Sequence, residues 1–266
     1  MVSSLFLVPY SPTIMHTLFS SSYRVTCHPD VPHLLSFLTS IPERFAQGEG
    51  KVIHQGRNEL RLLSYGGEQF VVKSFHVPHC LNRLAYAYVR GSKAKRSYLY
   101  ADRFRQAGIG SPQPIGYIEQ RDLGGLAHSF YVSRLSACPY TYADLLELPV
   151  DHSDRDAILV AIGQATARMH ELGYWHKDFS RGNILYGKQA DGRIQVEIID
   201  LNRMRLGRVG LKLGCRNFER LPGGPHLHQV LAQAYAEVRG FDAASCYHWM
   251  QYYRSLQDGY QYDPQQ

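Results

Sequence analysis

Along this chain the spacing of hydrophobic and polar residues changes several times, and each change marks an element. From Lys51 the apolar residues fall in short runs, Lys51–His54, Glu59–Leu63 and Gln69–Phe75, separated by a turn over Gln55–Asn58 and by Gly66-Gly67. Short runs joined by glycine-bearing turns predict a three-stranded meander. Two more strands are expected over Ile115–Glu119 and Ser129–Ser133, with a turn at Gly124-Gly125 between them. Helical spacing takes over at Ala94, Tyr98, Ala101 and Phe104, with Ser92 as N-cap and Gly108 and Gly110 closing the segment. It returns at Ile158, Ile162, Ala165, Met169 and Leu172, after Ser153 or Asp154 as cap and before Gly173 as stop. Upstream, Val31–Leu38 reads as a short helix that Pro42 ends, and Gly48 and Gly50 precede the first strand. An aromatic helix is expected around Tyr247, Trp249, Tyr252 and Tyr253.

Composition narrows the class without naming a chemistry. At 266 residues the chain can bury a sizeable core and fits one two-lobed domain. The net charge of +6 favours anionic partners. No nucleic-acid-binding motif accompanies that charge, so nucleic acid is not among the expected partners. Five scattered cysteines without a Cys-x-x-Cys fit reduced thiols rather than a disulfide framework or a zinc ribbon. His76, His79 and Cys80, and likewise His226 and His228, have spacings that metal ligands use, but such histidines more often pack or face solvent. No apolar run approaches the length of a membrane span. Met1–Met15 lacks a basic start and contains Pro9 and Pro12, which makes a poor secretory signal, and Met15 is an alternative start.

The chemistry sits between His176 and Asn202. Asp178 and Asn183 are five residues apart across a loop that Gly182 helps to turn. A strand follows in which Ile194, Val196 and Ile198 alternate with Gln195 and Glu197, and Asp200 ends it. A carboxylate beside an acceptor hydroxyl, and hard oxygens for the magnesium of ATP, are what phosphoryl transfer needs from a protein. As an isolated pair, Asp178 and Asn183 would read as turn-capping residues. The second aspartate and an upstream lysine, Lys73, turn that reading into a catalytic one.

The pattern His-x-Asp-x₄-Asn followed by Asp resembles the protein-kinase-like core. More closely, His176–Leu185, Asp200-Leu-Asn-Arg-Met204 and Gly214-Cys-Arg-Asn-Phe-Glu-Arg-Leu221 resemble the bacterial lipopolysaccharide core kinases, the Kdo/heptose kinase family, over roughly residues 45–221. The resemblance implies an α+β, two-lobed protein-kinase-like fold. Its N-lobe would be a small antiparallel sheet with one helix, over 45–135, and its C-lobe mainly helical, over 136–266; residues 1–44 would be an N-terminal extension. It implies Asp178 as catalytic base, Asn183 and Asp200 as metal ligands, Gly56 and Lys73 as nucleotide-binding residues, and Arg134–Cys138 as the hinge. His176 is expected to hold the loop by hydrogen bonds, and Asn202, standing where kinases carry glycine, to tolerate a left-handed turn. The helix over 93–104 contains no Glu to pair with Lys73, so that ion pair is lost, replaced, or supplied by Asp102.

Between Arg203 and Leu221 six basic residues (Arg203, Arg205, Arg208, Lys212, Arg216, Arg220) face one acid, Glu219. A run that begins three residues after a metal ligand suits an anionic acceptor. Arg203 and Arg205 are expected to meet that acceptor, and Arg216 and Arg220 its neighbouring acidic groups or the membrane face. The expected activity is transfer from ATP·Mg²⁺ to a sugar hydroxyl of the lipopolysaccharide inner core, with Kdo favoured over heptose, or of a lipid A precursor. The expected place is the cytoplasm, at the inner face of the membrane. The alternatives are a kinase of another small molecule, such as an aminoglycoside, and a pseudokinase binding module. A protein kinase is disfavoured, because the short tail leaves little room for peptide-docking helices.

Overall fold

A computed structural model of the protein describes residues 16–19, 23–75, 91–122 and 125–258. The readings made on Met1–Met15, on His76, His79 and Cys80, and on Gly124 lie outside these residues. The chain divides into two compact units, Met1–Lys95 with Pro114–Ser133, and Arg96–Gln113 with Arg134–Gln266.

The first unit is built on an antiparallel sheet. Its strands are β1 (His16–Phe19), β2 (Tyr23–Cys27), β3 (Lys51–Gln55), β4 (Asn58–Tyr65), β5 (Glu68–Phe75), β6 (Pro114–Asp122) and β7 (Gly125–Arg134), in the order β1-β2-β6-β7-β5-β4-β3. The β3–β4–β5 meander is the one the sequence predicts. Tyr65 pairs with Glu68 across a two-residue turn in which Gly66 and Gly67 both take positive φ, 61° and 81°, as the twist of a tight hairpin demands. One sheet face is covered by helix α1 (Leu35–Ala46), whose Phe37, Leu38 and Ile41 are fully buried against Val25, Cys27, Phe70, Val72, Ile118 and Val132.

Two expectations fail here. Pro42 does not end a helix at Leu38; it lies inside α1, which continues to Ala46. A proline inside a helix costs about 3 kcal/mol, whereas each fully buried side chain of this size returns about 1.5–3 kcal/mol. Three such side chains precede Pro42, and the turn after it docks as well. Phe45 packs edge-on against Phe130 at 5.2 Å, and its carbonyl accepts from Arg61 Nη1 at 3.1 Å. Secondly, the segment expected as an extension supplies β1, β2 and most of α1 to the first unit, and β2 pairs with β6 from Tyr23↔Gln120 to Cys27↔Gly116. The helix expected to accompany the sheet, α2 (Lys93–Gln106), is capped by Ser92 Oγ at the Lys95 amide (2.9 Å) as the sequence suggests. From Arg96 on, however, it belongs to the second unit, where the Tyr100 and Phe104 rings meet Tyr174 at 6.3 and 5.2 Å.

The second unit is mainly helical: α3 (Tyr142–Glu147), α4 (Arg155–Glu171), α5 (Leu211–Arg216), α6 (Pro225–Arg239) and α7 (Ala243–Asp258). Thr141 caps α3 through a reciprocal capping box with Asp144. In α4 the periodic residues Ile158, Ile162 and Met169 are buried as expected, but Leu172 at its end is 48 % exposed. Asp154 does not cap α4 with its side chain; both carboxylate oxygens take the Lys188 ammonium, at 2.8 and 2.9 Å. Short strands β8 (Tyr140–Thr141), β10 (Ile184–Lys188) and β11 (Ile194–Ile198) form one small sheet, and β9 (Tyr174–His176) with β12 (Met204–Leu206) another. These two ribbons hold the functional loop. Cys27, Cys138, Cys215 and Cys246 are buried free thiols. Among the described residues no helix is long and apolar enough to cross a membrane.

Candidate active site

The loop from His176 to Asn183 leaves β9 and enters β10, and backbone contacts fix it at both ends. Met204 pairs with His176, and the Lys177 amide donates to Arg203 O at 3.1 Å. His176 is fully buried and pins the loop from within: its Nδ1 accepts from the Asp178 amide (3.0 Å) while its Nε2 donates to Ile199 O (3.1 Å). That pair of contacts requires the neutral ring, and burial pushes the His176 pKa down in agreement. The structural role expected for His176 is the one observed. Asn183 donates from Nδ2 to Asp178 O at 2.8 Å and to Ser180 Oγ at 3.3 Å, so the loop is closed by its own amide.

Asn183 and Asp200 are brought together by the β10–β11 ribbon. Ile184 pairs with Ile198, and the Ile199 amide, one residue before Asp200, donates to Asn183 O at 3.0 Å. The amide nitrogen of Asn183 is spent on the loop, which leaves Oδ1 as the atom for a cation. That oxygen and the Asp200 carboxylate are both hard donors, the type of ligand that Mg²⁺ takes. Asp200 takes φ 60°, the one positive φ among the described non-glycine residues. The left-handed turn expected at Asn202 therefore lies two residues earlier. Asn202 instead sits in a short 3₁₀ turn, Leu201–Arg203, and its Nδ2 donates to Asp200 Oδ1. Upstream on β11, Glu197 is buried rather than solvent-facing as the alternation suggests. It accepts from Ser136 Oγ at 2.6 Å, which ties the Arg134–Cys138 segment to this strand, and burial pushes its carboxyl pKa up.

Beneath the loop lies a buried polar network that sequence reasoning missed. Arg239 Nη1 donates to Tyr235 Oη (2.7 Å), and Tyr235 Oη donates to His170 Nδ1 (2.9 Å). His170 Nε2 donates to Asn217 Oδ1 (2.8 Å), which also accepts the His176 amide (3.3 Å), while Asn217 Nδ2 donates to His176 O (2.8 Å). This network explains Gly214 in the motif Gly214–Leu221, because a Cβ there would lie 2.0 Å from Tyr235 Oη and 3.3 Å from His170 Nδ1. The only signal in the sequence was that motif itself; nothing in the spacing of His170 or Tyr235 separates them from ordinary helix residues.

Burial lowers His170 to about 3 and also lowers His176 and His228. The unfolded chain therefore binds more protons than the folded one below pH ~6.5, the ordinary histidine value. Stability from these groups is complete above that pH and is lost progressively as pH falls, for His170 down to about 3. Each such histidine steepens the fall by up to about 1.4 kcal/mol per pH unit. Urea denaturation at pH 7.5, 6 and 5 should show decreasing midpoints, and a flat profile over that range would contradict the neutral network.

The basic residues separate into groups. Asp178, 25 % exposed at its side chain, is met by Arg220, whose Nη1 pairs with Oδ1, and by Arg203, whose Nη1 is 3.9 Å from Oδ2. Arg205 is exposed on β12, opposite Trp175. Arg216 pairs with Glu219 at 3.2 Å and lies 5.9 Å from the Tyr253 ring, and Lys212 lies 4.2 Å over Trp249. Arg203 thus sits at the loop, whereas Arg216 is engaged with its own turn and with α7. In the first unit Lys73 stands on β5 opposite Leu60, with Nζ 5.4 Å from the Phe75 ring, and Gly56 turns β3 into β4. His226 pairs with Asp156 at 2.9 Å and His228 donates to Leu221 O, and among the described residues no cluster of three metal-ligating side chains occurs.

Comparison with known proteins decides the family. The model of the lipopolysaccharide kinase (Kdo/WaaP) family matches residues 45–233, well over half of the chain. The chain belongs to this family. Among solved structures, one described as WaaP in complex with acyl carrier protein superposes with a TM-score of 0.60 at 17 % identity, covering 88 % of this chain and 99 % of that one. Like that WaaP, the Kdo/WaaP family member described here has the kinase fold expected from its sequence. No curated protein matches. The acyl carrier protein is a partner of the neighbouring structure that the sequence of this Kdo/WaaP member does not suggest.

Proposed function

We propose that this lipopolysaccharide kinase transfers the γ-phosphoryl group of ATP to a sugar hydroxyl of the inner core, with Kdo as the first candidate, at the cytoplasmic face of the membrane. The observation that carries the reading is the placement of Asp178, Asn183 and Asp200 on one closed loop and the ribbon behind it, in a chain of this family. In this reading the Asp178 carboxylate accepts the proton of the acceptor hydroxyl as its oxygen bonds to the γ-phosphorus and the bond to ADP breaks. Asn183 Oδ1 and the Asp200 carboxylate would hold Mg²⁺, which would supply positive charge to offset that of the phosphates. Lys73 and the turn at Gly56 bind the nucleotide in the same reading. Arg203 and Arg205 meet an acidic group of the acceptor, with Arg216 further along the same basic stretch. A Kdo carboxylate or a lipid A phosphate supplies such a group, and a cationic drug does not, so an aminoglycoside acceptor is disfavoured.

Two measurements test this. Lipid A–core from a deletion strain should lack one phosphate by mass spectrometry, and an unchanged phosphate count would remove the acceptor assignment. Purified protein should show a thermal shift with millimolar ATP·Mg²⁺. No shift would favour the reading of a binding module that has lost nucleotide, for which the absence of a Glu in α2 is the motivating feature.

A further inference from the structure

Resting on the function proposed above, we propose that Arg220 is an exchangeable partner of the base: it is paired with Asp178 when no acceptor is bound, and moves to an anionic group, carboxylate or phosphate, of the acceptor when one binds. Its place in the fold makes it a side chain on a fixed pivot. Arg220 ends the 3₁₀ turn Asn217–Arg220, anchored on one side by the buried Asn217 network. On the other side Leu221 is fully buried, and its carbonyl accepts from both Arg254 Nη1 (2.5 Å) and His228 Nε2 (3.1 Å). The acid next to Arg220, Glu219, is engaged by Arg216 at 3.2 Å. The Arg220 side chain is 48 % exposed and that of Asp178 25 %. An ion pair so open to water is weakly held and easily exchanged.

Two guanidiniums beside one carboxylate leave an excess positive charge where the acceptor must enter, because Arg203 Nη1 stands 3.9 Å from the other oxygen of Asp178. The planar fork of Arg220 can pair a second carboxylate or a phosphate as readily as the first. While Arg220 covers Oδ1, that oxygen is not open to take a proton from water. Transfer to water would form an O–P bond and break the bond to ADP, with Asp178 taking the proton and free phosphate released. The pair leaves only Oδ2, flanked by Arg203 at 3.9 Å, to take that proton, so hydrolysis of ATP is slowed until an anionic acceptor draws Arg220 away and delivers its own hydroxyl.

The test compares wild type, Arg220→Ala and Arg220→Lys with ATP·Mg²⁺, with and without purified lipid A–core as acceptor. Arg220→Ala should raise the acceptor KM by about tenfold or more, as loss of a charge-assisted contact does, while acceptor-independent ATP hydrolysis rises several-fold. Arg220→Lys, which keeps the charge without the fork, should fall between the two. A merely structural role would lower both activities together. With an active wild type, parallel losses in Arg220→Ala and Arg220→Lys, or an unchanged acceptor KM with unchanged hydrolysis, overturn the inference alone. A wild type that phosphorylates no lipid A–core acceptor overturns the proposed function and this inference with it.

Discussion

Asp178→Asn is expected to slow phosphoryl transfer by roughly 10²–10⁴-fold, the range typical for loss of a positioned general base, while ATP·Mg²⁺ binding stays close to that of wild type. The structure makes this a clean test, because the loop is not held by the Asp178 carboxylate. Its amide donates to His176 Nδ1 and its carbonyl accepts from Asn183 Nδ2, and both contacts survive the substitution. The variant loses only the charge that pairs with Arg220 and Arg203 and the capacity to accept a proton. Steady-state kinetics with a purified acceptor, together with a thermal-shift titration with ATP·Mg²⁺, separate the two effects. Turnover at the wild-type rate would remove Asp178 from the role of base, and a lost nucleotide shift would assign it to metal binding instead.

Asn217→Ala should cost several kcal/mol of stability although Asn217 lies outside the apolar core. Asn217 is buried, and its removal leaves His170 Nε2–H, the His176 amide and the His176 carbonyl without partners in a site that excludes water. Each buried polar group so orphaned costs about 1–3 kcal/mol, so a total loss of several kcal/mol is expected. The methyl group that replaces the amide fills less space and restores none of these bonds. Activity should fall with stability, because His176 carries the amide of Asp178 on its ring. Urea denaturation of Asn217→Ala beside Tyr235→Phe checks the claim. Tyr235→Phe removes one link, between Arg239 and His170, and should cost about 1–2 kcal/mol. Equal midpoints for Asn217→Ala and wild type would mean that the network does not support the loop.

Much of the local structure was legible in the sequence, because it depends on interactions within a few residues of each other. Ser92 beside a 3.6-residue apolar repeat makes a capped helix, and Gly66-Gly67 between alternating strands makes a hairpin, whatever packs on them. The combination of Asp178, Asn183 and Asp200 also needed no structure to be noticed; it resembles the kinase-like core, and the family resemblance came with the longer motifs His176–Leu185, Asp200–Met204 and Gly214–Leu221. Where long-range packing competes with local preference, the sequence reading failed. Pro42 signals a helix end, but the burial of Phe37, Leu38 and Ile41 under the sheet carries α1 past it. A residue with intrinsic tolerance for positive φ, Asn202, was the expected site of the left-handed turn. The backbone instead places it at Asp200, between an amide fixed to Asn183 and a side chain fixed by Asn202. Only the tertiary structure could decide the partners of polar residues far apart in the chain. Asn217 joins His170 to His176, and Arg220 reaches Asp178 across 42 residues. A residue's type states what it can donate or accept, but only the folded chain determines which partner lies within reach and which charge is left facing water.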